Sequence, residues 1–199
     1  NITAILQKGG MEFNLPGPGH AIQLESGRMI VQFWHRKYGV EVDAEKRGYC
    51  VSLLYSDDGK TWHHVCELMP CFWGKLFVHK GELYMLACST EYGDLLIGKS
   101  TDGGKTFSAP VCLLRGSNGK NGNVGVHKNP QNIFIHNGRI YESLEWGSWS
   151  NKEYGHAAMV MSCDINDDLL VPENWSFSEP VKFDHFVPEI ADLQKPVMT

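Results

Sequence analysis

Short runs of β-branched, aromatic and other apolar residues recur along the chain, at Ala21–Leu24, Met29–Trp34, Cys50–Tyr55, Leu83–Cys88, Leu95–Lys99, Asn132–His136, Ile140–Trp146 and Ala157–Ser162. Each run is four to seven residues long and is closed off by Gly, Asn, Asp or Ser, the pattern of strands separated by tight turns. No window sustains an apolar period of 3.6 residues, so the pattern predicts an all-β chain.

The runs repeat. Glu25-Ser-Gly-Arg-Met-Ile-Val returns as His79-Lys-Gly-Glu-Leu-Tyr-Met and again as His136-Asn-Gly-Arg-Ile-Tyr-Glu. Each copy reads as a strand, a glycine turn and a second strand. A second hairpin follows the first two copies, at Tyr55-Ser-Asp-Asp-Gly-Lys-Thr-Trp62 and Ser100-Thr-Asp-Gly-Gly-Lys-Thr-Phe107, with Trp62 and Phe107 45 residues apart. That interval matches the roughly 40–50 residues of one four-stranded propeller blade. A third hairpin, Ser162 to Trp175, reads as the same turn widened by an insertion. The expectation is one propeller domain over residues 1–199, with blades at about 14–68, 69–114 and 124–182 and the start of a fourth at 183–199. A closed ring needs about four to eight blades, so a partial chain is expected. Unpaired blade edges would favour self-association.

Composition narrows the partners. The 199 residues are 42% hydrophobic and carry a net charge of −5, with basic residues scattered rather than gathered in a stripe. Nucleic acid is therefore not an expected partner. No stretch approaches the ~18 apolar residues of a membrane span, and no membrane partner is expected. The six cysteines sit mostly in strand-like runs without zinc-type spacing, and are read as free buried thiols rather than disulfides. No targeting segment opens the sequence. Localisation stays open, with a secreted or periplasmic chain favoured over a cytoplasmic one.

The octets resemble the Asp box of the sialidase superfamily, Ser/Thr-x-Asp-x-Gly-x-Thr-Trp/Phe. Asp57 and Asp102 fall at the aspartate position and Gly59 and Gly104 at the glycine, while Tyr55 departs from Ser/Thr in the first copy. The Asp is expected to accept backbone N–H groups within its own turn, and the aromatic residue to plug the blade. The segment Gly17-Pro-Gly-His-Ala-Ile-Gln-Leu-Glu-Ser-Gly-Arg-Met-Ile-Val31 resembles the Gly-Pro-Gly-x-x-Ile-Gln-Leu-x-x-Gly-Arg-Leu/Met-Ile/Val segment of bacterial and animal sialidases and their relatives. These similarities run from about Pro16 to Pro180. They imply a sialidase-like β-propeller whose Asp boxes lie on the face opposite the active site. The resemblance also implies an arginine triad, a Tyr–Glu nucleophile pair and an Asp acid/base. The first arginine and the Asp would precede Asn1, and Trp73 stands roughly where the paired glutamate belongs, so a different glycosidase or a lyase in the same scaffold is a further option.

On the face opposite the Asp boxes, the expected loops hold Pro16–His20, Trp34–Tyr38, Phe72–Lys75, Thr90–Tyr92, His127–Pro130 and Glu145–Trp149, joined by Lys152, Glu153, Tyr154 and His156. Each mixes aromatic rings with charge, as a sugar site requires. Glu145, Glu91 and His127 are the candidate acid/base groups. A desolvated Glu145 beside Trp146 is expected to have a raised pKa, and histidine titrates near neutrality. His20, Arg36, Tyr38, Trp73, Tyr92, Lys128 and Trp146 are the candidate substrate-binding groups, with Arg36 suited to the carboxylate of an acidic sugar. For any one ring, ordinary packing explains its presence equally well. His20 and His127 could meet at a metal, but no ligand spacing supports one, and neither metal nor cofactor is expected.

The function read from the sequence is an exo-acting, sialidase-like glycoside hydrolase with a carbohydrate ligand, an acidic sugar being one option. The alternative is a non-catalytic glycan- or protein-binding Asp-box propeller. Two ionisable groups within roughly 5–10 Å at the loop-bearing face would favour hydrolysis over binding.

Overall fold

A computed structural model of the chain describes residues 2–8, 11–16, 21–37, 49–128, 132–151, 153 and 155–182. Among these residues, three antiparallel sheets follow one another in sequence. The first contains β1 (Met11–Pro16), β2 (Ile22–Gln23), β3 (Met29–Lys37), β4 (Tyr49–Ser56) and β5 (His63–Leu68). Both β1 and β2 pair with β3, so together they act as one interrupted edge strand. The second sheet is β6 (Phe72–His79), β7 (Glu82–Cys88), β8 (Leu95–Ser100) and β9 (Val111–Leu114). In the third, β10 (Gly125–Lys128) and β11 (Phe134–His136) share the edge of β12 (Arg139–Gly147), followed by β13 (His156–Asp164) and β14 (Trp175–Phe177). Each sheet is an up-and-down meander, the unit of a propeller blade.

The blades hold together through their faces. Ile30, Val51 and Leu53 of the first sheet pack with Leu76, Leu83 and Met85 of the second. Phe72, Leu86 and Ile97 of the second pack with Val126, Leu144 and Met159 of the third. Complete burial of one such Leu or Ile side chain contributes roughly 1.5–3 kcal/mol, so each seam is a continuous apolar core. Polar contacts cross the seams as well, from Gln32 Nε2 to the Gly74 carbonyl at 2.6 Å and from Lys75 Nζ to Asn132 Oδ1 at 2.5 Å.

Besides two single 3-10 turns, one α-helix among the described residues departs from the all-β expectation. A short helix, α1 (Ile2–Lys8), places Leu6 against Leu54, with Ile2 and Ile5 alongside, spacings that put three apolar residues on one helical face. At seven residues it is too short to show a sustained period in the sequence. Among the described residues no helix is long and apolar enough to cross a membrane. All six cysteines are free thiols, four of them buried.

The two hairpins with the Asp-box pattern close by the same hydrogen bonds. Asp102 accepts from the backbone N–H of Lys105 and Thr106 and from the hydroxyls of Thr106 and Ser100. In the earlier copy those contacts belong to Asp58, which accepts from Lys60 N–H, Thr61 N–H and the hydroxyls of Thr61 and Ser56. The acceptor is thus Asp58, one residue beyond the expected Asp57. Asp57 forms instead a two-pronged pair with Arg28, at 2.7 and 3.0 Å, while the guanidinium lies 4.1 Å over the Tyr55 ring. Tyr55 therefore departs from the motif because it lies outside it: the motif's hydroxyl is Ser56.

Candidate functional site

The loop-bearing end of the seam between the second and third sheets gathers six chemically active side chains. His127 on β10 pairs directly across from Glu145 on β12, and residues directly opposite one another project from the same face. His156 opens β13 beside Gly147, two residues farther along the neighbouring strand. Glu91 and Tyr92 come from the turn between β7 and β8, which belongs to the other sheet. Trp149 lies just beyond β12.

Backbone contacts carry the Tyr92 turn to this place. The Tyr92 carbonyl accepts N–H groups from Ser117 at 3.2 Å and Asn118 at 2.8 Å, and Gly93 bridges to Val126. Gly125 is required beneath it, because a Cβ there would lie 1.6 Å from the Tyr92 carbonyl oxygen. Tyr92 itself adopts the left-handed backbone, with φ of 56°, an unusual state for a bulky residue that the surrounding contacts must impose.

The side chains form one connected network. Glu145 Oε2 lies 3.0 Å from His127 Nδ1 and 2.8 Å from His156 Nδ1. The other nitrogen of His156 meets the Tyr92 hydroxyl at 2.9 Å. His127 Nε2 faces Glu91 Oε1 at 3.7 Å, and that oxygen accepts the indole N–H of Trp149 at 2.9 Å. Rings wall the imidazoles: Trp73 and Tyr92 both lie 5.3 Å from His127, and Trp149 lies 4.4 Å from His156. Trp149 is 57% exposed, whereas Tyr92 is only 3% exposed, so the indole offers a face to solvent and the phenol is sealed beneath.

The electrostatics differ from the sequence expectation. The Glu145 carboxyl is held below its usual range, because the His127 and His156 hydrogen bonds outweigh the desolvation that opposes them. The expected rise depended on Trp146, but adjacent strand residues point to opposite faces, and Trp146 packs against the apolar core of the seam. Burial, reinforced by the charges of Glu91 and Glu145, pushes the Tyr92 phenol well up, so it stays protonated at neutral pH. As it stands, that phenol is a proton-bearing group and not a phenolate nucleophile.

Of the sequence candidates, Glu91, Tyr92, His127 and Glu145 meet here and Trp73 lines the site. His20 and Tyr38 lie outside the described residues, and Arg36 and Lys128 are described only as backbone in β3 and β10. His156 and Trp149 were legible as loop residues but not as members of an acid/base network. The only sequence signal for His156 is its place beside Gly147, which follows from strand register.

No family model matches the sequence. A 62-residue stretch is 39% identical to Sialidase-3 of Bos taurus, a match covering 27% of this chain and 14% of the bovine protein. Among solved structures, an alpha-L-arabinofuranosidase from Lactobacillus brevis superposes with a TM-score of 0.61 at 17% identity, over 86% of this chain and 57% of that one. The Hadza microbial sialidase Hz136 superposes with a TM-score of 0.53 at 17% identity, over 83% of this chain and 37% of that one. The chain thus spans little more than half of the arabinofuranosidase and less of the others. These likenesses show the fold: a sialidase-like β-propeller.

Proposed function

We propose that this chain forms part of a glycan-cleaving enzyme, a glycoside hydrolase whose site is the Glu91–His127–Glu145–His156–Tyr92 network. The observation that carries the reading is His127, whose ring stands between two carboxylates, Glu145 at Nδ1 and Glu91 at Nε2. One imidazole between them puts the carboxyl groups on the order of the ~5–10 Å that separates acid and base in glycosidases. A binding-only propeller has no need of such a pair. The likeness to proteins named as a sialidase and an arabinofuranosidase agrees with a carbohydrate substrate.

In this reading Glu145, ionised by its two imidazole neighbours, serves as the base, and the histidines carry the proton that it gains. Glu91 delivers the proton that the departing sugar oxygen takes up, and Tyr92, bonded to His156, holds that imidazole in place. Trp149 offers its exposed indole to the apolar face of a sugar ring. Exo action on an acidic sugar is the finer form of the proposal, in keeping with the likeness to proteins named as sialidases.

The test is hydrolysis of a panel of sialosides, uronides and arabinosides by the chain, followed by reducing-end assay and by ultraviolet detection of unsaturated uronide. New reducing ends with saturated products support the proposal, with Glu145→Gln and Glu91→Gln each lowering kcat by ~10²–10⁴-fold. Unsaturated products would reassign the site to elimination. Binding without any cleavage would reassign it to recognition.

A further inference from the structure

We infer that His127, Glu145 and His156 form a binding site for one divalent cation of the zinc type. The three side chains arrive on three different strands, and one ligand atom from each lies within 4.8 Å of the other two. Two imidazoles and a carboxylate are a borderline nitrogen and oxygen set, suited to zinc with a fourth position left for water or substrate. A tetrahedral ion at ~2.0–2.2 Å from each ligand would hold the ligands ~3.3–3.5 Å apart. The Glu145 oxygen is now 2.8 and 3.0 Å from the two Nδ1 atoms, so these contacts need to open by only about half an ångström.

The outer nitrogens give the second argument. His127 turns Nδ1 to Glu145 and Nε2 to Glu91, so its far nitrogen already faces a carboxylate. His156 is arranged in the same way, with Nδ1 toward Glu145 and Nε2 toward the Tyr92 hydroxyl, which can accept. Each histidine thereby has an outer partner on the nitrogen away from the ligand position, as metal-bound histidines do. Glu91 also accepts the Trp149 indole N–H. The inference shares its residues with the proposed function and rests on that reading only for what the ion would do: with zinc bound, Glu145 and both histidines would be ligands, and a zinc-held water would take the place of one activated by Glu145.

The test is calorimetric titration of zinc chloride into the chelator-stripped chain, with bound metal counted by mass spectrometry. One equivalent of zinc is expected, and a higher Tm with zinc added. Glu145→Gln and His156→Asn should each weaken binding at least tenfold, while His64→Ala, at an exposed histidine outside the site, should not change it. Replacing His127 removes a ring packed among Phe72, Trp73 and Tyr92, so Glu91→Gln is the complementary variant, expected to weaken zinc by ~10–100-fold through its outer-partner role. The cobalt form should absorb as a nitrogen and oxygen site. Absence of saturable zinc uptake, binding unchanged in Glu145→Gln and His156→Asn, or a thiolate charge-transfer band from the free cysteines would each overturn the inference. Zinc bound at these residues without cleavage of any glycan would leave it standing and sink the proposed function; cleavage by a chain that takes up no zinc would do the reverse.

Discussion

The Tyr92 hydroxyl lies 2.9 Å from His156 Nε2, across the seam between two sheets and 64 residues along the chain. The contact joins a phenol in the turn after β7 to an imidazole at the start of β13, so neither sheet alone holds it. Tyr92→Phe keeps the ring and removes the hydroxyl, leaving a half-buried nitrogen without its partner. A destabilisation of about 1–3 kcal/mol is expected in urea unfolding. Glycan cleavage should fall further than stability explains, and equal kcat in variant and parent would remove Tyr92 from the reaction.

Gly125 tests how the turn is carried. Gly125→Ala drives a methyl group into the Tyr92 carbonyl, a backbone atom that cannot rotate away. Loss of more than about 2 kcal/mol is expected, through overpacking at a site that cannot relax. Unchanged urea unfolding would show that the turn can lift without cost.

Trp149 behaves differently, because its indole is exposed. Trp149→Ala should leave stability within about 1 kcal/mol of the parent. Its predicted effect is a raised KM with little change in kcat, the signature of uniform substrate binding. A drop in kcat at constant KM would instead show that the Glu91 position depends on the indole N–H.

The Asp102 turn sets an acid limit on stability. Four donors, the Thr106 hydroxyl foremost, hold its carboxyl far below the usual range. A folded pKa below the unfolded one stabilises the folded state fully above about pH 4 and loses that contribution as pH falls through the folded value. Asp102→Asn should lower Tm at neutral pH and flatten the Tm decline in acid. Parallel acid profiles for parent and variant would refute this account.

The fold was legible where its determinants are local. Gly-centred hairpins and the Lys-Thr-aromatic ending of the two octets are short-range patterns, and they fall where the sheets turn. The apolar runs missed β1, β5, β6, β9, β10 and β14; His63-His-Val-Cys-Glu-Leu, for one, mixes charge with few apolar residues and relies on neighbouring strands for its pairing. The shift from Asp57 to Asp58 escaped notice because the turn is counted back from Thr61, and the first copy is one residue shorter. At the site, residue type and loop position pointed to Glu91, Tyr92, His127 and Glu145. Trp146 packs on the core rather than beside Glu145, because its orientation follows strand alternation and not proximity in sequence. His156 gained its role only from register and from the docking of a turn belonging to another sheet.

The placement of the network on a seam has an evolutionary corollary. A substitution in the β7–β8 turn must suit the β10 backbone as well as its own sheet, since the Tyr92 carbonyl rests over Gly125 and Gly93 bridges to Val126. The two walls are therefore expected to change together rather than one at a time.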